Sequence, residues 1–316
     1  MTAKLVDVES ASLPAGEVLV RVEYSSLNYK DALAVCRGAP IVRSFPMIPG
    51  VDLAGYVTAS DDPQFAIGDA VMVNGWGLGE SRWGGYARFC RVPAGYLVRI
   101  PPAFTPAQAM AIGTAGYTAM LCVQALERHG ILDTTADVLV TGATGGVGSV
   151  AVALLADAGH RVTAATGRLS EHGYLRELGA TQVVDRWALS APGKPLQRER
   201  WAGAIDTLGG HVLANVCAGL RYRGVVAACG MAQSLEFPAS VAPFILRGVT
   251  LVGIDSVRAP VCDRTSAWFA LAKRIDPEKL ATWTREIPLS AVVATALEML
   301  EGRGRGRVVV RIPDRW

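Results

Sequence analysis

Residues 138–159, VLVTGATGGVGSVAVALLADAG, run an apolar strand-like segment into Gly142, Ala143, Thr144, Gly145, Gly146, Val147 and Gly148, then directly into a helical pattern. Glycines at such a turn let the backbone double back and approach a pyrophosphate. The following helix offers its N–H groups and the positive end of its dipole to the same anion. The spacing departs from G-x-G-x-x-G, because the middle glycine is displaced. A strand before, a helix after and a second strand–helix unit behind supply the context the motif requires. Thr144, Gly145, Gly146 and Val147 are the expected phosphate contacts. Glycines serving only a structural turn are the competing reading.

The second strand of this unit, RVTAATGR, ends in Thr166, Gly167 and Arg168. Arg168 lies 20 residues past Gly148, where NAD-binding versions carry an acid for the ribose 2′-hydroxyl; the first acid here is Glu171. A guanidinium suits a 2′-phosphate instead, because its planar fork pairs with two phosphate oxygens at once. Thr166 adds a hydroxyl and Gly167 a close backbone N–H. The expected cofactor is therefore NADPH. A solvated surface arginine is the alternative. Arg186, just past the strand TQVVD, is placed either to reach the same phosphate or to stay at the surface.

The elements around this unit indicate how it is held. Before residue 109 the chain is β-rich: EVLVRVEYSS (17–26), DLAGYVTAS (52–60), DAVMVNG (69–75) and YARFCRVPAGYLVRIP (86–101) read as short strands of a small barrel. Residues 105–130 read as helix. From 136 onward strands and helices alternate as in a parallel sheet: strands ADVLVTG, HRVTAATG, TQVVD, AGAIDTLG, RGVVAACG and VTLVGIDSV, with a short helix at 240–248. Helices follow at 262–274, 276–285 and 291–301, then a last strand, RVVVRI. The expected fold is α/β, a Rossmann-type doubly wound parallel sheet inserted into a barrel domain. The expected boundaries are 1–112 with 258–316 for the barrel and 113–257 for the nucleotide domain.

Composition narrows the function classes. The 316 residues are 51% hydrophobic and 19% charged, enough apolar content for large cores and against disorder. A net charge of +3 and the isolated GRGRGR run at 302–307 argue against nucleic-acid binding. The opening MTAKLVDVES shows no secretory pattern, and no apolar stretch approaches the roughly 20 residues of a bilayer span, so a cytoplasmic, membrane-free protein is expected. Six cysteines without a C-x-x-C pair fit reduced thiols. All four histidines lie at 129–211, away from the barrel half, so no metal site is expected.

A barrel-like half, then IGTAGYTAML, then GATGGVG resembles the zinc-independent, quinone oxidoreductase-like branch of the medium-chain dehydrogenase/reductase superfamily. The stretches SSLNYKDALA (25–34), FPMIPGVDLAG (45–55), GWGLGESRWGGYA (75–87), IGTAGYTAMLCV (112–123), WAGAIDTLGG (201–210), VAACGMA (226–232) and PFILRGVTLVGIDSV (243–257) are similar to its NADPH-dependent acrylyl-CoA reductases across nearly the whole chain. The resemblance implies a GroES-like barrel as the catalytic domain. Where zinc-containing relatives have Gly-His-Glu, this chain has Gly50-Val51-Asp52. The family opens with a strand before the segment matching Leu5 to Pro14, so an edge strand is expected to be missing or replaced.

The resemblance implies reduction of a short 2-enoyl-CoA: acryloyl-CoA and NADPH give propionyl-CoA, with hydride to the β-carbon and a proton to the α-carbon. It places Asn28, Tyr29 and Asp31 at the catalytic cleft, with Tyr29 against the nicotinamide end; a hydrogen-bonded turn is the competing reading of Asn28 and Asp31. Trp76 and Trp83, in a glycine-rich loop, wall either the acyl pocket or the core. Asp31 is the weaker candidate. It implies cofactor contacts from Thr114, Cys229, Gly230, Met231, the segment Leu251 to Asp255, and Arg307. A homodimer joined through TLVGIDSV (250–257) is expected. Reduction of quinones or enones, and a non-catalytic NADPH-binding protein, remain open on the residues alone.

Overall fold

The computed structural model describes residues 3–37, 41–130 and 136–313. The chain divides into two compact units, Met1–Tyr117 with Ser256–Trp316, and Thr118–Asp255.

The first unit carries β1 (Val18–Ser26), α1 (Tyr29–Arg37), β2 (Asp52–Ser60), β3 (Ala70–Asn74), β4 (Phe89–Val92) and β5 (Val98–Arg99) before the long α2 (Pro106–Arg128) crosses into the second. Alternation in VLVRVEYSS buries Val18, Val20 and Val22 on one face of β1, as a half-buried strand requires. They pack with Leu53, Val57, Val71, Val73 and Val92 into the unit's core.

The second unit runs β6 (Asp137–Thr141), α3 (Gly146–Asp157), β7 (Arg161–Thr166), α4 (His172–Glu177), β8 (Ala180–Asp185), β9 (Trp201–Asp206), α5 (Gly210–Gly219), β10 (Leu220–Ala228), α6 (Ala242–Arg247) and β11 (Thr250–Gly253). These six strands form a sheet in the order β11-β10-β9-β6-β7-β8, every pairing parallel. The strand order reverses between β6 and β9, and at such a switch point the carboxyl ends of the strands open a crevice.

The chain then returns to the first unit with α7 (Val261–Arg274), α8 (Pro277–Trp283), β12 (Thr284–Pro288), α9 (Val292–Leu300) and β13 (Arg307–Arg311). The sheet there orders β12-β13-β1-β2-β3-β5, with β4 also on β1.

Two sequence expectations change. Residues 284–285, read as the end of a helix, open β12, because a parallel ladder with β13 claims Thr284 to Pro288. The 23-residue α2 is long and apolar enough by composition to cross a membrane, contrary to the sequence reading. Its most apolar window is 89% buried within the protein, so the apolar surface is core.

Candidate active site

In the first unit, β1 delivers Ser25 and Ser26, and the chain turns at Asn28 into α1. Asp31 on the first turn accepts from the Asn28 backbone N–H at 3.0 Å and from its side-chain amide at 3.2 Å. This reach back to the residue preceding the helix is half of a capping box and fixes where α1 starts. The other Asp31 oxygen accepts the Val51 N–H at 2.9 Å. Asp52, the first residue of β2, accepts from the Ser26 N–H (3.0 Å), the Ser26 hydroxyl (2.7 Å) and the Thr114 N–H (2.9 Å).

Arg307, at the start of β13, completes the cluster. It is 2% exposed. Its Nε donates to the Ala111 carbonyl at 3.1 Å, one Nη to Asn28 Oδ1 at 3.1 Å and the other to Ser26 Oγ at 2.8 Å. The Tyr86 hydroxyl donates to the Ser26 carbonyl at 3.2 Å. Gly113 makes this convergence possible. At φ 53°, ψ −163° it breaks the helical path of α2 and turns the Thr114 N–H onto Asp52. A Cβ there would collide with Arg307 and stand 2.8 Å from Ser26 Oγ.

Two carboxylates, Asp31 and Asp52, are thus fully buried beside one guanidinium. Burial and then the neighbouring Asp52 push the Asp31 carboxyl up to about 7, against the pull of its hydrogen bonds. Burial, reinforced by both aspartates, raises the Tyr86 phenol well above its ordinary value.

Of the expected catalytic residues, Asp31 is buried and its bonds are internal, so it fixes the Asn28 turn. Asn28 is half-buried, with its amide spent on Ser26, Asp31 and Arg307. Lys30, next to Asp31 in the chain, pairs with Glu80 at 2.8 Å. Tyr29 is 45% exposed and is the member of the trio that the unit presents outward. The Thr114 hydroxyl is 3.4 Å from the Asn74 amide. Sequence reasoning missed Ser26 and Asp52. The available signal was an acid directly after the glycine–valine pair that replaces a metal-binding motif.

In the second unit, the expected contacts from Thr144 to Arg186 lie just past the carboxyl ends of β6, β7 and β8, Gly230 and Met231 lie past β10, Asp255 lies past β11, and Leu251 lies within β11. Gly142 turns the chain after β6 at φ 60°. A Cβ on Gly148 would strike the Gly142 carbonyl and stand 2.7 Å from the Ala143 Cα. Gly145 precedes α3 and, as a glycine, brings no side-chain oxygen to the helix N-terminus. The Thr144 and Thr166 hydroxyls are 3.3 Å apart. Arg168 donates through Nη2 to Thr144 Oγ1 at 2.8 Å and through its backbone N–H to Thr166 Oγ1 at 3.1 Å.

Arg186, just past β8, lies against Gly167, where a Cβ would come within 2.8 Å of its Nε. That Nε is buried without a hydrogen-bond partner. Two guanidinium groups and two hydroxyls gathered at one sheet end, with an orphaned donor among them, fit a phosphate group. Asp206, at the end of β9, accepts from the Thr141 hydroxyl at 2.7 Å and from the Leu208 and Gly209 N–H groups, and burial raises its carboxyl. Gly230 is half-buried against the backbone of Thr207, and Met231 is 63% exposed. Leu251 sits half-buried in β11, and Asp255 is exposed just past it.

A sheet unit interrupted by a doubly wound nucleotide-type unit, with a glycine turn at its switch point, is the architecture of the medium-chain dehydrogenases and reductases. The family profile described as "Alcohol dehydrogenase GroES-like domain" matches residues 14–102, and the one described as "Zinc-binding dehydrogenase" matches residues 146–274. No three His, Cys, Asp or Glu side chains gather as a metal site among the described residues. The acrylyl-CoA reductase AcuI of Ruegeria pomeroyi is 46% identical, over 98% of this chain and 94% of its own. A putative quinone oxidoreductase, YhfP of Bacillus subtilis, is 42% identical over 96% and 93%. The solved structure of the YhdH oxidoreductase from Salmonella enterica in complex with NADP superposes with a TM-score of 0.96 at 49% identity, covering 98% of this chain and 95% of that one. The chain belongs to the medium-chain dehydrogenase/reductase superfamily, in its acrylyl-CoA reductase subfamily.

Proposed function

We propose that this protein reduces the carbon–carbon double bond of a short 2-enoyl-CoA with NADPH, converting acryloyl-CoA to propionyl-CoA. The observation that carries the cofactor half is the Arg168–Thr144–Thr166 cluster beside the unpartnered Arg186 Nε. The kinship with a named acrylyl-CoA reductase carries the substrate half. NADPH, when bound, supplies the hydride for the β-carbon.

Gly142, Gly145, Gly146 and Val147 leave room and helix N–H groups for its pyrophosphate, with Thr144 beside them. Thr166, Gly167, Arg168 and Arg186 hold the 2′-phosphate, because two guanidiniums neutralise a dianion that one acid in this place would repel. Gly230, Met231, Leu251 and Asp255 line the nicotinamide end. Thr114 and Arg307 serve the cofactor from the first unit, Arg307 by holding the Asn28 turn. Tyr29 packs against the ring or donates to the thioester oxygen on which negative charge builds. Asn28 and Asp31 keep Tyr29 in place.

The same reading makes the protein a cytoplasmic homodimer. Its six cysteines are free thiols. β11 is the open edge of its sheet, and neighbouring α6 exposes Ile245 at 76% and Leu246 at 65%. An exposed strand edge beside an apolar patch is a pairing surface.

Mixing the purified protein with NADPH and acryloyl-CoA tests the proposal. Loss of NADPH absorbance with acryloyl-CoA supports it; turnover of a quinone but not of acryloyl-CoA contradicts it.

A further inference from the structure

A cavity of about 480 Å³ opens in the first unit between Pro14, Ser44, Met47, Ser81, Arg82 and Trp83. Its charged wall is built from the core outward. Arg264 is 1% exposed, and its guanidinium donates to the carbonyls of Asn74, Ser256, Val257 and Ala259. It lies 4.4 Å from the centre of the Trp76 ring. Trp76 stacks on Tyr96, with centroids 4.7 Å apart and planes 1° from parallel. The Arg82 guanidinium then lies 5.2 Å from the Tyr96 ring centre.

The backbone fixes Arg82 as firmly. Its N–H donates to the Gly77 carbonyl at 3.0 Å, and its carbonyl accepts the Gly79 N–H at 2.8 Å. Trp76 holds φ 55° in this loop, a conformation that costs a non-glycine residue and persists only where the surroundings enforce it. Lys30 engages Glu80, the acid nearest Arg82 in the chain. The same ion pair fastens the loop to the first turn of α1, beside Tyr29.

We propose that this cavity binds the phosphorylated arm of coenzyme A, Arg82 pairing with a phosphate, Ser44 and Ser81 adding hydroxyls, and Met47 and Trp83 flanking the pantetheine. A guanidinium already oriented by stacking loses little entropy on meeting a phosphate. The inference rests on the enoyl-CoA reading. It adds the residues that distinguish a CoA thioester from a free enone.

Calorimetric titration of coenzyme A into NADPH-saturated protein tests it, since saturation removes the cofactor's own phosphates from competition. The wild type binds coenzyme A. Arg82→Ala weakens that binding by about tenfold, the equivalent of one lost charge-assisted contact, and Arg82→Glu weakens it further. Pantetheine, which lacks the phosphates, binds all three proteins alike. Dephospho-coenzyme A separates the 3′-phosphate from the diphosphate: if it also responds to Arg82, the diphosphate is the partner, and if not, the 3′-phosphate is. Unchanged coenzyme A binding in Arg82→Glu, an equal loss for pantetheine, or no binding by the wild type overturns the subsite. Coenzyme A binding that depends on Arg82 in a protein that reduces only quinones supports the subsite while contradicting the proposed substrate.

Discussion

Arg168 reaches back across 24 positions to place its Nη2 2.8 Å from the Thr144 hydroxyl. That bond joins the turn after the second strand of the parallel sheet to the glycine turn after the first. The 2′-phosphate of NADPH is proposed to sit beside this bond. Replacing Arg168 with alanine removes one or two charge-assisted contacts to that phosphate and none to the 2′-hydroxyl of NADH. The kcat/KM preference for NADPH over NADH is expected to fall roughly tenfold to a hundredfold. Steady-state kinetics with both cofactors check this, and an unchanged ratio would remove Arg168 from the phosphate site.

Arg307 donates to Ala111, Asn28 and Ser26, and the charges of Asp52 and Asp31 act on its buried guanidinium. Arg307→Met keeps the volume and strips the charge, leaving two buried carboxylates to each other. Removing one member of a buried ionic group costs about 3–5 kcal/mol. Urea unfolding of the variant is expected to show a lower midpoint at an unchanged slope. A midpoint like that of the wild type would mean that the network holds no net charge.

The Asp31 carboxyl predicts a pH dependence of stability. Its ordinary value is 3.8, and the fold raises it to about 7. Between these values the folded protein keeps a proton that the unfolded chain has released. Stability therefore falls as pH rises through this window and levels off above it, with a limiting slope of roughly 1.4 kcal/mol per pH unit. Asp31→Asn is expected to flatten the fall between about pH 5 and about pH 7, leaving the part that comes from Asp206, whose carboxyl burial also raises. Urea titrations of both proteins across the window measure it. Identical profiles would show that Asp31 stays ionised in the fold.

If two chains join along β11, replacing Ile245 and Leu246 together with aspartate puts charge on the exposed apolar face without touching a core. Light scattering should give twice the chain mass for the wild type and the single-chain mass for the double variant. A wild type already at single-chain mass contradicts the dimer.

The parallel sheet was legible because its signals are local: an apolar run, glycines, then helical spacing, repeated within a few dozen residues. Arg168 could be read the same way, by its distance from Gly148. β12 was not legible, because Thr284 to Pro288 become a strand only through a ladder with β13, and TREIP alone carries little β pattern. Nor was α1, whose start depends on Asp31 reaching back to Asn28. The buried network escaped for a related reason. Ser26, Asp52, Gly113 and Arg307 are far apart in sequence, and each looks ordinary where it stands. Only the break in α2 at Gly113 brings Thr114 onto Asp52. The substrate reading came from resemblance across long stretches, not from any single residue's chemistry.

The central claim is that hydride passes from NADPH to the β-carbon of a CoA-linked double bond. NADPH deuterated at the transferring position of the nicotinamide, incubated with the protein and acryloyl-CoA, tests it most directly. The expected product is propionyl-CoA carrying deuterium on its β-carbon alone, with the α-carbon proton drawn from water. Absence of propionyl-CoA, or deuterium on the α-carbon, would contradict it.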